Sequence, residues 1–246
     1  MRRRTCAVVV FEGVELLDVA APVEILGALG TNHVHLCYVL AHHQDEDEDE
    51  SSSSFSFSSS CVTTSCLEVS GGCRGPRIVG THVLASGGRI RRVGTGVVEA
   101  PHVVVVPGGK GARELLGDRA LQRWLVDACS SEECEVVLTV CTGSWLLARS
   151  GVLDGLRATC NKGALASGAP QRSRPQVDWV RRARWVEHRT AEGKLFVTSS
   201  GVSAGGDAAL AVVSHLAGEE RARGVARDAE WIWNENADDD PFCTAE

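Results

Sequence analysis

Short apolar runs alternate along this chain with stretches of helical periodicity. Residues 5–11, 33–41 and 102–106 are nearly unbroken apolar runs, the pattern of strands covered on both faces of a parallel sheet. A helical pattern over residues 17–29 joins the first two runs. Residues 5–41 therefore predict a β-α-β unit with a right-handed crossover. Ser86-Gly87-Gly88, between apolar stretches at 78–84 and 90–93, predicts a hairpin. Helices are expected over 112–129, 144–150, 204–216 and 218–233, and strands over 136–141, 158–160 and 195–198. Strands alternating with helices predict an α/β fold, a doubly wound and mostly parallel sheet flanked by helices.

The pattern breaks over residues 42–76. Asp45-Glu46-Asp47-Glu48-Asp49-Glu50 leads into a serine-rich tract, then into Cys61, Cys66 and Cys73 among Thr, Ser and Gly. So little apolar surface cannot offset the entropy of ordering, and the segment reads as a disordered, low-complexity insertion in a single domain spanning residues 1–246. His42 and His43 stand near these cysteines, but without a Cys-x-x-Cys pair no metal site is expected.

Composition narrows the function. A net charge of −7 leaves no basic excess for phosphate contacts, so nucleic acid is not the expected partner. The ten cysteines do not space as a disulfide framework. Cys6, Cys37 and Cys141 fall within or at the ends of predicted strands, where thiols act as small apolar residues. Met1-Arg2-Arg3-Arg4 precedes an apolar run too short for a secretory signal, and no segment approaches the roughly 20 apolar residues of a membrane span. The expectation is a soluble, cytoplasmic protein.

The chemistry centres on Val136-Val137-Leu138-Thr139-Val140-Cys141-Thr142-Gly143-Ser144, a strand ending on a cysteine with a helix following at once. A thiol at such an elbow meets the positive end of a helix dipole, which favours the thiolate. A buried core cysteine is the competing reading. Ligands of an open parallel sheet bind at the carboxyl ends of its strands. Residues 12–18, Pro107-Gly108-Gly109, Cys141-Thr142-Gly143 and residues 199–203 all fall at such ends. The N–H groups of Gly108, Gly109 and Thr142 could together face a developing negative charge. Asp18 is either a helix cap or an acid beside Cys141. In the second case the two titrations are coupled and one group keeps its proton at neutral pH.

Four segments carry a resemblance. Phe11-Glu12-Gly13-Val14-Glu15-Leu16-Leu17-Asp18, Val105-Val106-Pro107-Gly108-Gly109, Val140-Cys141-Thr142-Gly143-Ser144 and Ser199-Ser200-Gly201-Val202-Ser203-Ala204-Gly205-Gly206-Asp207 together resemble the ThiJ/PfpI superfamily, whose domains are similar to class I glutamine amidotransferases. Asp in the first loop with Cys-Thr-Gly-Ser at the elbow resembles the isonitrile hydratase branch. The resemblance covers most of the chain outside residues 42–76 and implies a flavodoxin-like sheet with a nucleophile elbow. It implies Cys141 as nucleophile, Asp18 as acid/base partner, and Thr142 as donor of the elbow N–H and a nearby hydroxyl. Gly109 would be the second oxyanion donor, with Gly108, Gly143 and Ser200 around the substrate.

The implied reaction is hydration of an isonitrile to an N-substituted formamide through a thioimidate, a cysteine-dependent hydro-lyase activity without metal or organic cofactor. The implied assembly is a homodimer acting on a small molecule, with Trp231 and Trp233 near Asp240-Pro241-Phe242 as packing residues or a dimer contact. One departure stands out. Many superfamily members carry a histidine after the short strand that follows the elbow helix, where this chain has Thr159-Cys160-Asn161-Lys162. A glyoxalase or deglycase acting on small 2-oxoaldehydes is the alternative enzyme, but those branches usually carry Glu at Asp18 and His at Asn161. A redox sensor built on Cys141 is the non-enzymatic alternative.

Overall fold

The computed structural model describes residues 3–41, 61–65 and 74–243. Its main element is a nine-stranded sheet. Across it run Trp185–Arg189, Leu195–Ser199, Val136–Thr139, Val103–Val106, Arg4–Val10, Val34–Leu40, His82–Ala85, Arg89–Arg92 and Val98–Glu99. Neighbours from Leu195–Ser199 through His82–Ala85 are parallel, and antiparallel strands close both edges. The all-valine strand Val103–Val106 is wholly buried, as expected at the centre of a sheet covered on both faces. Among the described residues, no helix is long and apolar enough to cross a membrane.

Topology positions the site. Arg4–Val10 pairs with the next strand of this sheet in sequence, Val34–Leu40, on one side and with Val103–Val106 on the other. This reversal of strand order opens a crevice at the carboxyl ends. Thr139 stands level with Val106, and Val140 N–H donates to the Val106 carbonyl at 3.0 Å. The two strands therefore deliver Gly108 and Cys141 at the same height.

Three expectations need correction. The helix over 112–129 is interrupted, because Lys110–Glu114 and a 3-10 turn at Leu115–Gly117 precede a separate helix, Arg119–Ser130. Asp118 starts that second helix by accepting the N–H groups of Ala120 and Leu121, both at 2.9 Å. The last helix stops at Asp228 rather than continuing to 233. Glu230 enters the left-handed region at φ 50, and Trp231 N–H turns back to the Ala226 carbonyl at 2.8 Å.

The third correction concerns the insertion. Much of residues 42–76 lies outside the described residues, Cys66 and Cys73 included, but Cys61–Ser65 is a strand paired antiparallel with Arg74–Val79. It also runs parallel to Val14–Glu15. Gly13 N–H donates to the Thr63 carbonyl at 2.9 Å, and Thr63 N–H donates to Glu12 Oε2 at 2.8 Å. Val62 and Thr64 are buried, and the Thr64 hydroxyl donates to the Pro76 carbonyl at 2.7 Å. Compositional bias hid this strand because its stabilising partner is the loop at 12–15, far away in sequence. That loop also bridges to Gly109, so the strand braces one wall of the crevice.

Candidate active site

Cys141 is held at φ 57, a left-handed conformation rare for a side chain with a Cβ. The turn is closed by Gly143 N–H donating to the Val140 carbonyl at 2.8 Å, and helix Gly143–Arg149 begins there. A Cβ on Gly143 would lie 2.1 Å from the Val106 carbonyl oxygen, so only glycine lets the elbow sit on the neighbouring strand. Cys141 itself is 6% exposed.

Asp18 is not the helix cap. Helix Leu16–Gly27 has Glu15 at its N-cap position, and Asp18 lies in the first turn with its side chain fully buried. Its Oδ2 accepts the Gly108 N–H at 3.0 Å, while its Oδ1 has no hydrogen-bond partner. A Cβ on Gly108 would meet Thr142 N at 2.6 Å and Asp18 Oδ2 at 2.9 Å, so the missing side chain lets loop, acid and elbow converge. Gly109 N–H donates to Thr142 Oγ1 at 3.0 Å, and the Thr142 hydroxyl donates to the Gly109 carbonyl at 3.2 Å. The glycine amides expected to face a ligand are thus already engaged. Gly108 fixes Asp18, Gly109 fixes Thr142, and Gly143 closes the turn. Thr142 N–H is the donor that reaches the Cys141 sulfur.

Burial dominates the electrostatics. The Asp18 carboxyl is pushed up to about 8 by burial and by the charge of Glu15, against the lowering contacts from Gly108 and the Cys141 thiol. The Cys141 thiol is raised well above its ordinary value by burial, then by Asp18 and Cys160. Thr142 N–H and the Asn161 side chain pull the other way. Burial thus works against the thiolate that the helix dipole would favour. Leaving water costs the thiolate more than the start of a short helix returns. Both shifts point toward the protonated forms, a carboxylic acid beside a thiol.

Two residues without an expected role complete the site. Asn161 caps helix Lys162–Ala166, its Oδ1 accepting Ala164 N–H at 3.1 Å, which leaves its amide N–H2 to donate to Cys141. The Cys160 thiol donates to the Cys141 carbonyl at 3.2 Å and steadies the strained turn. The sequence signal for this cap is an Asn directly before a short apolar helix. Asn161→Ala is expected to cost about 1 kcal/mol through the lost cap, read as a lower urea midpoint with unchanged slope. Asn161→Asp should retain the cap.

Ser200 lies elsewhere. Its hydroxyl donates to Asp240, and its N–H donates to the Arg184 carbonyl, within a buried ionic cluster rather than at the thiol. His215 is engaged by Glu187 at 2.6 Å and Arg189 at 3.3 Å on the edge strand. Trp231 packs on Gly206 and donates to Asp207 at 2.9 Å, within its own chain.

Comparison with known proteins agrees with this architecture. A curated isonitrile hydratase from Pseudomonas putida is 31% identical over 129 residues, which cover 52% of this chain and 51% of that protein. The chain thus spans about half the length of that relative. The crystal structure of a ThiJ/PfpI family protein from Pseudomonas syringae superposes with a TM-score of 0.65 at 22% identity, covering 100% of this chain and 80% of the other. Drosophila melanogaster DJ-1beta superposes with a TM-score of 0.66 at 18% identity, covering 94% and 100%. The sequence pattern of the DJ-1/PfpI family matches residues 4–215, and this protein belongs to that family.

Proposed function

We propose that this protein hydrates an isonitrile to an N-substituted formamide. The carrying observation is the buried pair of Cys141 and Asp18, with the carboxyl pushed up by burial and an Asn161 amide rather than a base reaching the sulfur. The terminal carbon of an isonitrile accepts a nucleophile and a proton at the same atom. In the proposed step Cys141 Sγ forms the C–S bond, the Asp18 proton passes to that carbon, and the thiol proton restores Asp18. No ionised resting group is required, which suits a site that disfavours charge. The product is a thioimidate, R–N=CH–S–Cys141. Water adds to its carbon, the C–S bond breaks, and the N-substituted formamide leaves as the thiol re-forms. The isonitrile hydratase relative supports this reading, as does the fold it shares with the family.

Glyoxalase chemistry is less well served, because it moves a proton off a carbon and Asn161 has no basic nitrogen. A sensing role has one observation in its favour, since a protonated carboxyl beside Cys141 would also hydrogen-bond a sulfinate. We expect the purified protein to release the formamide from an alkyl isonitrile and to form no lactate from methylglyoxal, both followed by chromatography. Lactate without formamide would move the protein to the glyoxalase reading. Inertness toward both substrates, with peroxide modifying Cys141 alone, would establish the sensor. A soluble homodimer belongs to the same proposal, and the exposed Ile232 and Phe242 provide apolar surface for its contact.

A further inference from the structure

A second cluster of reactive side chains sits on the strands Val34–Leu40, His82–Ala85 and Val98–Glu99, in the other half of the sheet. His35 and Cys37 lie near the start of Val34–Leu40, two residues apart and so on one face. Val39, on that same face, pairs with His82 at the start of the next strand. Glu99 comes from the edge strand Val98–Glu99. One possible ligand atom from each of His35, Cys37, His82 and Glu99 lies within 4.8 Å of all the others. Thr5, level with His35 on the first strand, holds Glu99 in place by donating its hydroxyl to Oε2 at 2.7 Å. Cys141 follows the carboxyl end of Val136–Thr139, whereas this group lies on the strands of the other half of the sheet.

His82 supplies the independent observation. It is 2% exposed, and its Nε2 is buried without a hydrogen-bond partner, 3.5 Å from Glu99 Oε1. Its other nitrogen, Nδ1, is 2.9 Å from the Thr81 hydroxyl oxygen. That oxygen also accepts Tyr38 N–H at 3.0 Å, and its own proton is directed to the Tyr38 carbonyl at 3.4 Å. Thr81 can accept from Nδ1–H, and in that tautomer the Nε2 lone pair is free to serve as a ligand toward the cluster. An imidazole fixed through its far nitrogen is how proteins orient a metal ligand.

We propose that His35, Cys37, His82 and Glu99 form a structural zinc site. Two imidazoles, one thiolate and one carboxylate suit Zn²⁺, and four protein ligands close a tetrahedron. Ligand atoms around tetrahedral zinc stand about 3.5 Å apart, so the cluster must contract by about 1 Å. The half-buried side chains of His35 and Glu99 have the freedom to do so. Binding releases the Cys37 thiol proton to solvent, and the thiolate and carboxylate then neutralise the ion's two charges. The metal would fasten the strands His82–Ala85 and Val98–Glu99 at this side of the sheet to Val34–Leu40.

The test is metal binding by the full chain. Chelator-treated wild-type protein is titrated with Zn²⁺ against a chromogenic competitor, and separately with Co²⁺, whose tetrahedral thiolate complexes show a sulfur-to-metal charge-transfer band. One equivalent is expected, with that band, in wild type and equally in Cys141→Ser. Cys37→Ser should abolish the band, and His82→Asn should lose the equivalent. Thr81→Val should weaken affinity about 10-fold by freeing the imidazole. Should the core variants fail to fold, Glu99→Gln carries the test, because its side chain is partly exposed and should still weaken binding at least about 10-fold. Absence of an equivalent in wild type overturns the site. So does an equivalent that Cys37→Ser and Glu99→Gln both leave unchanged.

Discussion

Asp18→Asn is expected to slow isonitrile hydration by about 10²–10⁴-fold while making the folded protein more stable near pH 8. In the proposed mechanism Asp18 gives its proton to the substrate carbon, which an amide cannot do. The gain follows from burial. Between the ordinary carboxyl range and about pH 8, the native state holds a proton that the unfolded chain has already released. Wild-type stability therefore falls as pH rises through that window, each unit contributing about 1.4 kcal/mol, and flattens above it. Asparagine has no such term and can still accept Gly108 N–H through its side-chain oxygen. The variant's advantage in urea melts should grow from pH 5 to pH 8. The activity of the wild type should fall as pH passes about 8 and the acid is lost. A variant that keeps its activity would remove Asp18 from the reaction. One with no stability gain at pH 8 would show that the carboxyl is ionised in the native state.

Local signals carried the fold a long way. Unbroken apolar runs marked the strands that became the sheet centre, and Val103–Val106 is buried throughout because helices cover both faces. What escaped depended on contacts distant in sequence or on one residue's backbone. Cys61–Ser65 forms a strand because residues 12–15 and Arg74–Val79 supply its partners, which the bias of its neighbours conceals. The stops at Asp118 and Glu230 rest on a cap and a left-handed residue inside patterns that otherwise read as continuous helix.

The site shows the same division. Spacing pointed to Cys141 and Asp18 as candidates, and the crossover at the first strand brings them together. Which group holds a proton depends on how completely both are buried, and no local pattern carries that information. The engagement of the Gly108 and Gly109 amides was equally hidden, because Asp18 and Thr142 arrive from other segments.

A large loss of stability is expected at Asp207, in the helix that begins after the Ser200 loop. Its Oδ2 accepts Arg184 Nε–H at 2.6 Å, and both side chains are buried. Its Oδ1 accepts Trp231 Nε1–H at 2.9 Å and Asn234 N–H at 3.2 Å. Arg184 also lies 3.5 Å from Asp240, which in turn stands 3.6 Å from Lys162, next to Asn161. This chain of charges fastens residues 231–242 to the body behind the site. Asp207→Ala leaves a buried guanidinium short of its nearest partner and two donors without an acceptor. A loss of about 3–5 kcal/mol follows, measured by guanidinium unfolding. Asp207→Asn keeps an acceptor for Trp231 and Asn234, and Asp240 remains near Arg184, so its loss should be smaller. Tryptophan emission should shift to the red in Asp207→Ala before global unfolding, as Trp231 is released from Gly206. Equal losses for the two variants would mean that the charge of Asp207, rather than its three hydrogen bonds, holds the C-terminal segment in place.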